Sequence, residues 1–364
     1  MVGVTAPGTG SEHMLERDSA GLDVLYLGGT GTISASCVRL SVASGMRVTV
    51  VNRGNDFKHR GLPDGVEQVT ADVTDEAALA AALEGRAFDA AVDFLAYDRD
   101  DTAARVRVLG PLARQYVLIS SGSVYGKPVL QTPVTESTPT HNRFLEYARA
   151  KLRAEDVVRE AYADRGFPMT VVRPSHTYDD ANPPLAGDWT VIDRIARGAE
   201  VPVHGDGTSL WTLTHAEDFA VGLVGLLGNP RAIGETFHIT GDDVWTWDQI
   251  HTVIADALAV PARLVHIPSE LYPVVAPDWF WSDLLVGDLA HSAVFDNSKI
   301  KRFVPAFGQR LTFHRAVRRM LEWRAAHPDE TAPDATTDAV LDRLVTAYHA
   351  SREVFAAHAP GAAS

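Results

Sequence analysis

The chain has 364 residues, of which 46% are hydrophobic and 22% charged, and its 33 basic and 47 acidic residues give a formal charge of −14. This composition is typical of a globular protein with one large α/β domain or two closely joined ones, and it excludes collagen-like, coiled-coil and disordered chains. The negative charge disfavours nucleic acid and anionic lipid as partners, and no run of basic residues offsets it. With Cys37 as its one cysteine, the chain has no intramolecular disulfide and no cysteine zinc site.

The sequence also predicts where the protein resides. No apolar stretch is long enough for a membrane span, the longest candidate being residues 219–227. Residues 1–22 lack the basic start and apolar core of a signal peptide, and we predict a flexible leader there. Together with the single cysteine, these features predict a cytoplasmic protein.

Short β-branched strands alternate with helical patterns through the first half of the chain. Predicted strands lie at 23–27, 47–51, 66–70, 90–95, 115–119 and 169–173. Predicted helices lie at 34–43, 76–84 and 144–165, with another between the strands ending at 95 and beginning at 115. This alternation predicts an α/β fold built on a Rossmann-like, doubly wound parallel sheet.

A glycine-rich turn joins the first predicted strand to the first helix, with the sequence Gly28-Gly29-Thr30-Gly31-Thr32-Ile33-Ser34. Glycines at this place let the backbone approach a pyrophosphate, which then lies at the positive end of the helix dipole. We therefore predict that Gly28, Gly31, Thr32 and Ile33 bind a dinucleotide. An ordinary turn is the alternative, and Ser34 stands where the third glycine of the usual spacing would be.

The second and third strands end in polar residues that would lie beside the adenosine of such a dinucleotide. Asn52 and Arg53 stand where an acidic residue would normally bind the ribose 2′-hydroxyl of NAD. Arg53 would favour the 2′-phosphate of NADP or stack on the adenine. Asp72 and Val73 are predicted to flank the adenine, with Asp72 as the cap of the next helix as the alternative.

Tyr147 and Lys151 form an i,i+4 pair at the start of the long helix predicted at 144–165. The two side chains share one helix face, so the ammonium group, together with an oxidised nicotinamide nearby, is predicted to lower the pKa of the phenol toward neutrality. Such a phenol exchanges a proton with a carbinol or carbonyl oxygen. Ser121 lies 26 residues earlier, at the end of the preceding strand, where its hydroxyl reaches the same oxygen.

The segments GGTGTIS, ISSGSVYG, YARAK, VVRPSHTYDD and HGDGTSLWTLTHAEDF together resemble the extended short-chain dehydrogenase/reductase family, the NAD-dependent epimerase/dehydratases of sugars. The resemblance covers about residues 24–307. It implies a bound NAD, with NADP as the alternative, and a catalytic triad of Ser121, Tyr147 and Lys151. It also implies that Leu95 and Pro174 contact the cofactor, along with Tyr147 and Lys151, and that the protein is a homodimer.

After Pro174 the predicted elements become shorter and more mixed. We predict a dinucleotide-binding Rossmann domain at residues 23–175 and a smaller substrate-binding lobe at 176–326, interleaved with the end of the sheet. A tail at 327–364 carries one amphipathic helix, predicted at 339–356.

Two departures from the family pattern bear on the substrate. The UDP-sugar epimerases that this chain resembles hold the diphosphate with an arginine where Trp211 stands here, and a second arginine ahead of Gly287-Asp288 is also absent. Two lost charge-assisted contacts, each worth about 1.5–3 kcal/mol, disfavour a nucleotide-diphosphate sugar. An aromatic ring suits a nucleoside or an unactivated sugar, with a core or hinge role for Trp211 as the alternative.

The substrate is predicted to contact Ser121, Ser123, His176 and Trp211, and no metal site is predicted. The 4,6-dehydratases of the family carry an Asp-Glu pair directly after the catalytic hydroxyl residue, where this chain has Gly122 and Ser123. An elimination would therefore need its acid and base from elsewhere, for which the sequence offers His176, Lys127 and Asp179.

These residues predict an enzyme that transiently oxidises a secondary alcohol of a sugar-like substrate and then epimerises it or eliminates from it before returning the hydride. The first alternative is an NADP-dependent reductase or dehydrogenase of a sugar or ketone, suggested by Asn52 and Arg53. The second is a non-catalytic dinucleotide- or RNA-binding relative, which the intact triad and the negative charge disfavour.

Overall fold

The structure of the chain, a computed structural model, describes residues 21–54 and 60–358. Residues 1–20 of the predicted leader lie outside the described residues. No helix within the described part of the chain is both long and apolar enough to cross a membrane.

Twelve strands and twelve α-helices make up the described structure. The strands are β1 Asp23–Leu27, β2 Arg47–Asn52, β3 Glu67–Thr70, β4 Ala90–Asp93, β5 Tyr116–Ile119, β6 Met169–Pro174, β7 His176–Tyr178, β8 Val201–His204, β9 Leu210–His215, β10 Thr236–Ile239, β11 Val244–Thr246 and β12 Leu264–Ile267. The helices are α1 Ser34–Ala43, α2 Glu76–Ala82, α3 Arg99–Leu109, α4 Glu146–Arg165, α5 Asp188–Ala196, α6 Ala216–Val224, α7 Trp247–Ala257, α8 Tyr272–Val275, α9 Phe280–Leu284, α10 Ser298–Phe303, α11 Phe313–Ala326 and α12 Ala335–Ala357. A π-helical segment spans Leu285–Leu289, and 3₁₀ turns lie at Gly122–Val124, Pro230–Ala232 and Ser269–Leu271.

The main sheet has seven strands in the order β10-β6-β5-β4-β1-β2-β3, and every neighbouring pair is parallel. The strand order reverses at β1 and β4, which gives the doubly wound arrangement predicted from the sequence. The predicted Rossmann-like α/β fold is thereby confirmed. In open sheets of this kind, ligands bind beyond the carboxyl ends of the strands, at the reversal point.

The pattern of β1 explains why helices cover both faces of the sheet. Val24 and Tyr26 point into one hydrophobic cluster, which includes side chains of α1 and α6. Leu25 and Leu27 alternate with them and point into a second cluster, which includes side chains of α3 and α4. A strand that is apolar on both sides has to be buried on both sides, so the sheet lies between two helical layers.

The C-terminal part of the chain contributes to the main sheet and also builds a second layer of structure. Strand β10 returns to pair with β6 at the sheet edge, while β11-β9-β7 and β12-β8 form two small sheets. Helices α5, α7, α11 and α12 pack on these small sheets around a separate hydrophobic cluster. Helix α12 begins four residues before its predicted start, because Asp334 Oδ1 accepts a hydrogen bond from the Thr337 amide at 2.7 Å.

The end of β4 and the start of α4 both differ from the sequence prediction, and for the same reason. Strand β4 ends at Asp93 because the Leu95 amide donates to Asp93 Oδ1 at 2.8 Å, which turns the chain. Helix α4 begins at Glu146 because Asn142 Oδ1 accepts from the amide of Leu145 at 3.2 Å, before the helical pattern takes over. In both places a side chain replaces a regular backbone partner.

A buried ion pair joins α4 to the strands beneath it. Glu155 Oε1 accepts hydrogen bonds from Arg173 Nε at 2.8 Å and from Ser120 Oγ at 2.6 Å, and Glu155 Oε2 accepts from Arg173 at 2.6 Å. Both charged side chains are about 98% buried. Burial alone would raise the pKa of the Glu155 carboxyl, but the bonds from Arg173 and Ser120 hold it below its ordinary value.

We expect Glu155→Gln to lower the free energy of unfolding by about 3–5 kcal/mol, because it leaves the buried charge of Arg173 without a counter-ion. Urea unfolding of both proteins measures the change. The control is Glu67→Ala, which breaks the surface pair with Arg86 at 2.7 Å and should cost at most about 1 kcal/mol.

The pH dependence of the unfolding free energy provides a second test of the Glu155–Arg173 pair. The pKa of Glu155 is lower in the folded than in the unfolded protein, so its contribution is present above the unfolded pKa and is lost as the pH falls through the folded one. Two results would contradict a stabilising role for the Glu155–Arg173 pair. One is an equal loss of unfolding free energy in Glu155→Gln and Glu67→Ala, and the other is a loss of stability at low pH that is the same in Glu155→Gln as in the wild type.

Candidate active site

The turn between β1 and α1 has the geometry of a phosphate-binding loop. Gly28 has a φ of +80°, and a side chain there would meet Leu95 at 3.3 Å, so glycine suits this position. Helix α1 has no acidic residue in its first turn, and no described side chain caps its amino end. The positive end of the helix dipole is therefore left for an anion.

A cleft of about 560 Å³ opens over this turn and along the carboxyl ends of the strands. All the cofactor-binding residues predicted from the sequence line it: Gly28, Gly31, Thr32, Ile33, Asn52, Arg53, Asp72, Val73, Leu95, Tyr147, Lys151 and Pro174. The structure thus brings these residues together at one site, and their individual roles stay predictions.

At the end of β2 the cleft presents hydrogen-bond donors. Asn52 Oδ1 is occupied by the Gly54 amide and by Gln68 Nε2, both at 2.9 Å, whereas the buried Asn52 Nδ2 has no described hydrogen-bond partner. The exposed Arg53 follows it on the cleft wall. A donor thus stands where NAD-binding folds commonly place a carboxylate acceptor.

The capping role considered for Asp72 is wrong. Asp75, and not Asp72, caps α2, by accepting from the amides of Ala77 and Ala78 at 3.0 Å. Asp72 Oδ1 instead accepts from the amide and hydroxyl of Thr74, in the turn before the helix. Its carboxylate lines the cleft.

Lys151 is buried beneath the cleft and is tied to two neighbouring strand ends. Its Nζ donates to the backbone oxygens of Ala96 at 2.8 Å and Ile119 at 3.0 Å, just beyond β4 and at the end of β5. Burial lowers the pKa of Lys151 to about 8, opposed by the negative charge of Asp93. The ammonium form therefore predominates at neutral pH.

Tyr147 lies one helical turn before Lys151 and is 42% exposed to the cleft. The lysine Nζ is 5.9 Å from the Tyr147 ring centre and 4.2 Å from that of Tyr97, which the sequence analysis did not single out. The surrounding protein, and then Tyr97, raise the pKa of the Tyr147 phenol above its ordinary value, while a hydrogen bond with Ser121 opposes them. The phenol is thus protonated in the free protein.

Ser121 follows β5 and faces the same place. Its Oγ accepts from the Ser123 hydroxyl at 2.9 Å and from the Ser123 amide at 3.2 Å. The proton of the Ser121 hydroxyl is therefore free to be donated toward Tyr147 or toward a ligand oxygen.

A second cavity of about 520 Å³ meets the cleft at Ser121, Tyr147 and Pro174. The predicted substrate contacts Ser121, Ser123, His176 and Trp211 all line it. Its far wall comes from the C-terminal part of the chain, with Phe280, Trp281, Asp283, Leu284, Asp288 and Leu289.

Carboxylates dominate the charge of the second cavity. Glu146, Asp283 and Asp288 line it, and no lysine or arginine among the described residues does so. Glu146 also pairs with Arg153 at 2.8 Å on the outer surface. Burial lowers the pKa of His176 to about 4, so this imidazole is neutral at pH 7.

Trp211 is a core residue that also forms part of the cavity wall, and its contact with a substrate stays a prediction. It is 2% exposed, and its Nε1 donates to the backbone oxygen of Leu289 at 3.0 Å. The same oxygen accepts from Trp247 Nε1 at 3.1 Å and from Ser209 Oγ at 3.0 Å. These donors fix the π-helical segment that carries Asp288.

Two of the residues suggested as an acid or base for elimination do not line either cavity. Lys127 is buried behind the wall, with its Nζ 2.7 Å from Asp288 Oδ1 and 5.0 Å from the Trp211 ring centre. Asp179 pairs with Arg60 at 2.9 Å. Of the three suggestions, His176 alone faces the second cavity.

Sequence reasoning missed several lining residues. Tyr97, Asp101 and Arg105 line the cofactor cleft, and Asp283 lines the second cavity. A signal for Arg105 was available, since a charged residue on the inner face of an otherwise apolar helix pattern is unusual. Nothing local marks the others.

The residues of the cleft fit a dinucleotide. The open amino end of α1 suits a pyrophosphate, and the unpaired donor Asn52 Nδ2 suits an acceptor on the ribose or its phosphate. No group of three or more metal-ligating side chains occurs within the described ranges.

Comparisons with known proteins agree with this geometry. The model of the NAD dependent epimerase/dehydratase family matches residues 24–240. The 2'-dehydrokanamycin reductase of Streptomyces kanamyceticus is 30% identical over 303 residues, which cover 82% of this chain and 84% of the reductase.

Solved structures share the fold at lower identity. The epimerase Mth375 of Methanothermobacter thermautotrophicus aligns with a TM-score of 0.72 at 17% identity, over 88% of this chain and 97% of the other. The UDP-glucuronic acid 4-epimerase of Bacillus cereus, in complex with NAD, gives 0.66 at 16% identity, over 87% and 100%. Because the family model matches more than half of the chain, and the reductase is 30% identical over most of it, this chain belongs to the NAD-dependent epimerase/dehydratase family of extended short-chain dehydrogenases/reductases.

Proposed function

We propose that the protein is an NADP(H)-dependent reductase that interconverts a ketone and a secondary alcohol on a sugar-like molecule lacking a diphosphate. The observation that carries the proposal is the position of Tyr147, a protonated phenol where the cofactor cleft and the second cavity meet. A protonated acid at this point suits the donation of a proton to a carbonyl oxygen.

Tyr147, Ser121 and Lys151 each have a separate role in the proposed reduction. The bound dinucleotide supplies or accepts the hydride at the substrate carbon. Tyr147 gives its proton to the carbonyl oxygen, while the free hydroxyl proton of Ser121 bonds to the same oxygen and orients it. The Lys151 ammonium stabilises the phenolate that remains until solvent returns a proton.

The charge of the second cavity supports the substrate class. A nucleotide diphosphate would bring two negative charges to this cavity, where no lysine or arginine of the described structure lines the wall to hold them. Of the lining carboxylates, Asp288 and Glu146 already pair with Lys127 and Arg153 behind the wall and on the outer surface. Neutral hydroxyl groups or protonated amines match these carboxylates. The relative that is 30% identical is named for the reduction of 2'-dehydrokanamycin, which agrees with a substrate without a diphosphate.

The choice of NADP(H) rests on the end of β2. Asn52 Nδ2 and Arg53 are donors without a hydrogen-bond partner in the described structure, and a phosphate is the acceptor that two such donors bind best. A carboxylate at this point would instead favour the 2′-hydroxyl of NAD.

The reaction class expected first from the sequence, transient oxidation with epimerisation or elimination, is the second candidate. The neutral imidazole of His176 favours it, because a base in the second cavity could remove the proton next to a transient ketone. This candidate requires a dinucleotide that stays bound. Stoichiometric NAD(H) released on denaturing the purified protein would support it, whereas an empty site that takes up NADPH supports the reductase.

We expect Tyr147→Phe to lower kcat by about 10²–10⁴-fold, because it removes the proton donor without changing the ring. The measurement is oxidation of NADPH with a panel of ketosugars, together with fluorescence titration of NADPH, whose affinity should be unchanged. Tyr162→Phe is the matched control, since Tyr162 is on the same helix with the same 42% exposure but lines neither cavity. Full turnover by Tyr147→Phe would overturn the catalytic assignment.

We expect Arg53→Gln to weaken NADPH binding by about 10- to 100-fold and to leave NADH binding unchanged, because the lost charge-assisted bond is specific to the 2′-phosphate. Calorimetric titration of both cofactors measures the ratio. Arg86→Gln, which alters a surface pair with Glu67, is the control. A wild-type protein that prefers NADH, or equal losses for both cofactors, would refute the assignment to NADP(H).

A further inference from the structure

Arg105 is the most unusual charged residue of the cofactor cleft. It lies on the inner face of α3, its side chain is 1% exposed, and it lines the cleft. None of its three guanidinium nitrogens has a hydrogen-bond partner among the described residues. A guanidinium carries five N–H donors, and leaving them unpaired in a buried place is costly.

Two carboxylates lie near Arg105 but accept no hydrogen bond from its guanidinium group. Asp93 Oδ2 is 3.5 Å away and is already bonded to the Tyr116 hydroxyl at 2.7 Å. Asp101 Oδ2, one helical turn before Arg105, is 3.9 Å away. These ion pairs balance the charge of Arg105, but they leave its N–H groups without acceptors.

The position of Arg105 along the cleft indicates which part of a dinucleotide it faces. Arg105 lines the same cleft as Arg53 at the end of β2 and Asp72 after β3, where the adenosine is expected. In agreement, hydrogen bonds from Thr74 are the main cause of a lowered pKa at Asp72, and the charges of Arg53 and Arg105 add to it.

The charges around Arg105 favour a neutral acceptor over a phosphate. Asp93 and Asp101 already offset its charge, and Asp72 adds a further negative charge nearby. A phosphate at this point would be repelled by the carboxylates. Adenine is neutral, and along one edge it presents an amino donor beside a ring-nitrogen acceptor, which matches a carboxylate beside a guanidinium.

We propose that Arg105 is a specificity residue for the purine of the cofactor, donating to a ring nitrogen of adenine while a neighbouring carboxylate accepts from the adenine amino group. Hypoxanthine has a carbonyl in place of that amino group. Its ring nitrogen N1, an acceptor in adenine, also carries a proton. With the N1 edge facing Arg105, hypoxanthine would therefore set two acceptors against each other at the carboxylate and two donors against each other at the Arg105 guanidinium. The cleft should consequently discriminate against it. The inference rests on the proposed function in requiring a bound dinucleotide, but not in the reaction or substrate.

The test compares NADPH with its hypoxanthine analogue in direct binding titrations, without turnover. Wild-type protein should bind the analogue about tenfold or more weakly. Arg105→Met should weaken binding of ADP-ribose by about 10- to 100-fold, leave nicotinamide mononucleotide unaffected, and reduce the adenine preference to about threefold or less. Arg105→Lys is the substitute variant if Arg105→Met fails to fold. It keeps the charge beside Asp93 and should show the same reduced adenine preference.

The control is Tyr116→Phe, which removes the hydroxyl that donates to Asp93 Oδ2 from outside the cleft. It should lower stability and leave the adenine preference intact. An adenine preference that is absent in the wild type, or that both Arg105 variants retain, would overturn the inference and assign Arg105 a structural role. Because binding alone is measured, this failure is distinct from a failure of Tyr147→Phe to lose turnover.

Discussion

The site depends on one buried cation, the ammonium group of Lys151. It donates to the backbone oxygens of Ala96 and Ile119, at two neighbouring strand ends, and so fixes α4 against the sheet. Desolvation opposes its charge and lowers its pKa to about 8, while the charges of Asp93 and Glu155 sustain it. Tyr147, the proposed proton donor, lies one turn earlier on the helix that this ammonium group holds in position.

The second cavity depends on a different constraint, a single backbone oxygen. Leu289 accepts from the indoles of Trp211 and Trp247, so one carbonyl holds the π-helical segment against β9 and α7. That segment brings Asp288 to the wall opposite Tyr147. The proposed catalytic pair thus comes from helix α4, which packs on the main sheet, and much of the cavity wall from the C-terminal part of the chain, which lets the substrate wall vary without moving the chemistry.

The features predicted from the sequence are those that short stretches of chain determine. The glycine turn and the i,i+4 pair of Tyr147 and Lys151 are local motifs, and the family resemblance predicted that both contact one cofactor, as their shared cleft allows. Asp283 reaches the second cavity through packing of a segment more than 100 residues away in sequence from Ser121, which no local pattern encodes. The end of β4 was missed because the Asp93 side chain takes the Leu95 amide from the ladder.

The two cavities differ in the charge and hydrogen-bonding groups that they offer a ligand, although the chain as a whole carries a charge of −14. The cofactor cleft presents amides, Asn52 Nδ2 and Arg53, which are donors suited to phosphate. The second cavity presents carboxylates and a neutral His176, which disfavour phosphate. The proposed dinucleotide therefore has one favourable place to bind, and the proposed phosphate-free substrate has the other. Tyr147 stands at the boundary between them, where the proposed hydride and proton transfers would meet.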